Sequence, residues 1–169
     1  KAQLAAHEGD VVTLHYQHTF NRTSGKDEYG MGIHTATTEQ RPDIVLNIRK
    51  ASGEIVLTYL YDAKYRVIND KKLDKDFEQQ DIAENAGMPG GDYPPTDAIN
   101  QMHRYRDAIY YSKEHEPYRS KEIIGGYILF PGRGSDEYIK KRYYSASVES
   151  VNIGAFPLLP NSDTLLREH

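Results

Sequence analysis

There is no cysteine among the 169 residues, which excludes disulfides and thiolate metal centres. No stretch approaches the apolar length that a membrane span requires, and the amino-terminal residues lack the apolar core of a secretory signal. Lys and Arg number 21 against 25 Asp and Glu, for a net charge of −4. Without a basic excess, any contact with nucleic acid must come from a local patch rather than the whole-protein field. These absences lead us to expect an intracellular chain with no membrane partner, and leave the question of other partners open.

Hydrophobic residues make up 38% of the chain and charged residues 27%, enough apolar content for one core. The length suits a single domain over 1–169 better than two. The chain opens on Lys1 and stops at Arg167-Glu168-His169 inside an expected helix, so we expect the carboxy-terminal part of a longer polypeptide.

Val11 to Phe20, VVTLHYQHTF, is rich in β-branched and aromatic types and predicts a strand. Asp43 to Lys50 predicts a second and Glu54 to Val67 a third. From Asn69 to Pro95 the pattern turns charged, then rich in Gly and Pro, and reads as a mobile insertion with one short helix. Thr96 or Asp97 then caps a helix through DAINQMHRYRDAIYYS, with Ile99, Met102, Arg106 and Ile109 along one stripe. Gly125 to Pro131 predicts a buried strand, and VNIGAFPLLP closes with a short one. Three strands, a helix, then a strand imply an α/β fold with a mixed central sheet flanked by helices.

The third strand carries YLYDAKYR, Tyr59 to Arg66, where an Asp and a Lys interrupt a run that otherwise buries apolar surface. A buried charge without compensation costs more than such side chains return. Ser52-Gly53 suits a two-residue hairpin loop, because Gly tolerates positive φ. With that loop Ala51 faces Glu54, and the same register sets Asp43 opposite Asp62; a three-residue loop would shift the pairing by one and set Asp43 opposite Tyr61 or Ala63, with the acids still close. Opposed residues have Cβ atoms about 4.5–5.5 Å apart, and like charges there are destabilising. A hard divalent ion such as Mg²⁺ between them reverses the sign. Lys64, two residues beyond Asp62, projects from the same face.

Pro42-Asp43, Asp62-Ala63-Lys64 and Gln101-x-x-x-Tyr105 together resemble the PD-(D/E)XK nuclease superfamily, the fold of many restriction endonucleases. More closely, RPDIVL, YLYDAKYR, DAINQMHRYRDAI and GGYILFPG look like the nuclease domain of McrC-like proteins, which often accompany McrB-type AAA+ GTPases in bacterial restriction systems. The resemblance spans Val11 to Pro160. It implies a restriction-endonuclease-like sheet, a DNA substrate, and a cytoplasmic setting in a prokaryote, in restriction or phage defence. It further implies that Asp43 and Asp62 bind Mg²⁺, with Mn²⁺ as a substitute, and that Ala63 lends its carbonyl. Lys64 would position or activate the attacking water, and Gln101 would orient the site or touch the nucleic-acid backbone. Tyr105, Arg104 and His103 follow as substrate contacts on the same helix. Partners would be DNA, a McrB-type GTPase and other domains of the same chain.

The superfamily commonly supplies another acid from a helix before the first strand. Here that region is KAQLAAHEGD, where Glu8 is poorly placed, so we expect the acid upstream of Lys1. His15 and His18, three apart on a strand, are expected on opposite faces and as ordinary strand histidines. His34, His103 and His115 have no ligand-spaced partner. GRGS, Gly132 to Ser135, lacks the Lys-Ser/Thr of a phosphate loop and reads as a turn. KKRYYSAS, Lys140 to Ser147, reads as a solvated face more readily than a nucleic-acid track. An active Mg²⁺-dependent endonuclease competes with a non-catalytic module that keeps the fold for docking. The intact set Asp43, Asp62 and Lys64 favours the first.

Overall fold

The computed structural model describes residues 2–5, 9–22, 32–52, 56–65, 68–69, 92–111, 123–133, 136–139 and 144–169. Among them the strands are β1 (Ala2–Ala5), β2 (Val11–Tyr16), β3 (Ile33–Thr35), β4 (Ile44–Arg49), β5 (Val56–Ala63), β6 (Ile68–Asn69), β7 (Asp92–Tyr93), β8 (Ile109–Tyr111), β9 (Ile123–Phe130) and β10 (Ile153–Pro157). The helices are α1 (Thr96–Ala108), α2 (Asp136–Ile139), α3 (Ser145–Val151) and α4 (Thr164–Glu168). Six strands form one sheet in the order β1-β2-β4-β5-β9-β10, while β3 pairs with β8 and β6 with β7. This is the expected α/β class, a mixed central sheet flanked by helices. The chain divides into two compact units, Lys1–Asp62 with Met102–Gly126, and Ala63–Gln101 with Tyr127–His169.

In the first unit β1, β2, β4 and β5 form an antiparallel run. Val45 lies between His15 of β2 and Leu60 of β5, and all three are buried. One step along, Asn47 lies opposite Thr58, and its Nδ2 donates to the Thr58 hydroxyl at 3.0 Å. Burying an aliphatic side chain such as Leu60 contributes about 1.5–3 kcal/mol, whereas the polar pair is tolerated because each partner satisfies the other. The other face carries three apolar rungs, Val12·Ile48·Leu57, Leu14·Leu46·Tyr59 and Tyr16·Ile44·Tyr61. None of these nine is fully buried, and Tyr16 is 68% exposed, so the sheet is buried from one side far more than the other. Met102, Tyr105 and Ile109 are buried. A Cβ on Gly126 would lie 3.3 Å from that of Met102, so the glycine is what lets strand and helix approach.

The second unit has an aromatic core. Tyr127, Phe130, Tyr138 and Phe156 are almost fully buried; Tyr127 packs on Phe156 and Phe130 on Tyr138. Polar tips find partners, as buried phenols require: the Tyr138 hydroxyl donates to the Ala155 carbonyl at 2.6 Å, and that of Tyr127 to Asn152 Oδ1. β6 and β7 form a two-rung ladder, Ile68 opposite Tyr93 and Asn69 opposite Asp92. Asp92 Oδ2 accepts the Arg133 amide at 3.1 Å.

Several expectations change. The strand from Val11 stops at Tyr16 instead of Phe20, because Gln17 takes a left-handed φ of 50°. That residue breaks the alternation on which the opposite-face placement of His15 and His18 depended. Both are buried, with ring centroids 5.6 Å apart. The helix ends at Ala108, before the expected Ser112, since Ile109–Tyr111 pairs with Ile33–Thr35; a β-branched residue and two tyrosines favour the strand. Of the insertion expected over 69–95, residues 70–91 lie outside the described residues, and its edges form the β6–β7 ladder. In KKRYYSAS, residues 140–143 lie outside them too, as do Glu8, His115 and residues 134–135. Tyr144 is half-buried against Phe156 and Tyr138.

Candidate nuclease centre

The β4–β5 register decides where the acids stand. Ile44 faces Tyr61 and Val45 faces Leu60, the pairing that a two-residue Ser52-Gly53 loop predicts. Asp43 precedes Ile44 and Asp62 follows Tyr61, so the two acids flank the last rung of the ladder. The buried face of the hairpin runs from Asn47 and Thr58, through Val45 and Leu60, to Asp62 on β5, with Asp43 just outside β4. Asp62 is 3% exposed, and Asp43 is half-buried at the bend that leads into β4. Carboxylates brought close together repel when ionised, unless a cation joins them.

The far end of the same hairpin is tied down electrostatically. Asp10 accepts from the Lys50 ammonium and, at 2.9 Å, from the Ala51 amide. The Lys50 hydrogen bond first, and the amide second, hold the Asp10 carboxyl below its usual range. On the opposite face, burial pushes the Tyr61 phenol up, with neighbouring Tyr59 adding to the effect.

The loop that carries Asp43 is gripped at two points. The Gln17 amide donates to the Asp43 carbonyl at 2.6 Å, while the Arg41 guanidinium donates to Gln17 Oε1 at 2.9 Å. From α1, the Tyr105 hydroxyl donates to the Arg41 carbonyl at 3.2 Å. Tyr105 is only 6% exposed, and Pro42 between the two gripped carbonyls is buried. His103 is half-buried and Arg104 exposed on the same helix. Gln17 escapes sequence reading altogether, since left-handed backbone is associated with Gly, Asn and Asp rather than Gln.

Ala63, Lys64 and Gln101 belong to the second unit. The Lys64 amide donates to the Leu129 carbonyl at 2.8 Å, just beyond the end of β5 at Ala63. Lys64 is half-buried there. Gln101 is half-buried in α1, one turn before Tyr105.

The donors suit a hard cation. Mg²⁺ takes oxygen ligands, keeps several waters, and is commonly held by one or two carboxylates together with substrate phosphate; Asp43, Asp62 and a main-chain carbonyl are of that type. Among the described residues no group of three or more His, Cys, Asp or Glu side chains is placed to hold an ion. No described helix is long and apolar enough to cross a membrane.

Searches of curated proteins and of solved structures find no match. A family model described as the PD-(D/E)XK nuclease superfamily matches residues 1–135, a span that includes the Asp43 loop, Asp62-Ala63-Lys64 and all of α1. The chain belongs to the PD-(D/E)XK nuclease superfamily.

Proposed function

We propose that this chain is a Mg²⁺-dependent DNA endonuclease domain that hydrolyses phosphodiester bonds, with Mn²⁺ as a substitute ion. The observation that carries the proposal is Asp62, an acid almost completely buried on β5 one residue beyond Tyr61, whose partner Ile44 directly follows Asp43. A strand that needed only stability would place apolar residues there, as the next rung does with Val45 and Leu60.

In this reading Asp43, Asp62 and the Ala63 carbonyl hold the ion. When bound, a divalent cation supplies Lewis-acid polarisation of the scissile phosphate and lowers the pKa of the attacking water. Lys64 donates to the nucleophile or to charge developing on the phosphoryl oxygens, a contribution greatest where water is excluded. Gln101, His103 and Arg104 offer polar groups along α1 for the sugar-phosphate backbone. The McrC-like motifs favour a role in prokaryotic restriction or phage defence, beside a McrB-type GTPase.

The test is nicking of supercoiled plasmid by the wild type, Asp62→Asn and Lys64→Met, with Mg²⁺ or Mn²⁺ and with or without the GTPase. Wild-type cutting is expected, falling at least about a hundredfold in each variant, the scale of losing one preorganised transition-state contact. Cutting that survives both substitutions removes the proposed centre. Absence of wild-type cutting under every condition, with DNA binding retained, identifies a non-catalytic module instead.

A further inference from the structure

We infer that Tyr105 and Gln17 are positioning residues for the Asp43 carboxylate, acting on the backbone that carries it and not on substrate; the inference rests on the nuclease reading above. Asp43 lies outside β4, so the ladder that fixes Ile44 and Tyr61 does not by itself fix Asp43. Two other bonds do. The Gln17 amide holds the carbonyl of Asp43, and the Tyr105 hydroxyl holds that of Arg41, two residues earlier. Pro42 between them contributes a φ locked near −65°, so restraining both flanking carbonyls leaves this peptide little freedom.

The left-handed backbone at Gln17 has a role in this arrangement. With φ at 50°, the chain leaves β2 just after Tyr16, and the amide of Gln17 meets the Asp43 carbonyl just beyond the β2–β4 ladder. The same residue's side chain receives Arg41. Gln17 thus contacts both ends of the Arg41-Pro42-Asp43 segment. Tyr105 reaches the segment from α1, and at 6% exposure its ring is a packed element rather than a surface presented to DNA. A ligand held by such outer bonds binds its ion more tightly because less order is lost on binding.

The test compares wild type, Tyr105→Phe, Asp43→Asn and the double variant. Phe keeps the packed ring and removes only the hydroxyl. Mn²⁺ affinity is measured by calorimetry without DNA, plasmid cleavage is followed across metal concentration, and exchange of the Gln17 amide is followed by NMR without metal. Tyr105→Phe is expected to weaken Mn²⁺ binding by about tenfold, to leave KM for DNA unchanged, and to regain kcat at saturating metal. Gln17 amide exchange should accelerate. In the Asp43→Asn background the same substitution should cost nothing further, since coupled residues are non-additive. An equal loss in both backgrounds, or a raised KM for DNA with unchanged metal affinity, overturns the positioning role and leaves the nuclease reading standing. A wild type that neither binds Mn²⁺ nor cuts DNA overturns the nuclease reading, and this inference with it.

Discussion

Asp62 and Tyr61 are adjacent in β5, and strand alternation sends them to opposite faces. One is a buried carboxylate; the other is a phenol on the side where no residue of the three apolar rungs is fully buried. The Tyr61 phenol is raised above its ordinary value of 10.0, by burial first and by Tyr59 second. Its folded form therefore keeps a proton that the unfolded chain has lost. That difference leaves stability intact below the ordinary phenol value and erodes it as pH rises through the folded one. Tyr61→Phe should flatten the alkaline decline in unfolding free energy, measured by urea denaturation across pH. Asp10 has the opposite sign. Its carboxyl is depressed by Lys50 and the Ala51 amide, so its contribution is present above the ordinary carboxylate range and disappears as pH falls through the folded value.

At the scale of elements, the β4–β5 hairpin organises the site. The Asn47–Thr58 hydrogen bond is a register key, because a one-residue slip would turn both to the other face and leave each buried partner unmatched. Asn47→Ala alone should destabilise the protein by about 1–3 kcal/mol, the cost of stranding the Thr58 hydroxyl. Replacing both by Val should recover most of that loss, and urea denaturation of the three variants distinguishes the cases. This hairpin was legible in the sequence as far as its ladder: alternation fixed the faces, and the two-residue loop predicts the register seen from Ile44–Tyr61 to Arg49–Val56. β2 was legible only as far as Tyr16, since nothing in the type of Gln17 signals a left-handed residue, and the apposition of His15 and His18 was hidden with it. The end of α1 was misread for a related reason: IYY continues a helical pattern by period, and only its pairing with β3, a contact between residues far apart in sequence, makes it a strand. Tyr105 was identified by motif, but its bond to Arg41 depends on how α1 packs within the first unit, which local pattern does not encode.

At the scale of the molecule, a net charge of −4 opposes the approach of a polyanion, and in the proposed centre the Asp62 carboxylate adds to it. Without divalent cations, Asp62→Asn should bind duplex DNA more tightly than wild type, by about fivefold for about 1 kcal/mol of repulsion removed at contact distance in water. Fluorescence anisotropy at fixed ionic strength measures it, and added Mg²⁺ should narrow the difference. The β6–β7 ladder has a different consequence. It brings Asn69 and Asp92 together as direct partners, so the residues numbered between them begin and end at one place in the second unit. The ladder is accordingly a clasp: it holds two points far apart in the sequence at the spacing of one pair of strands.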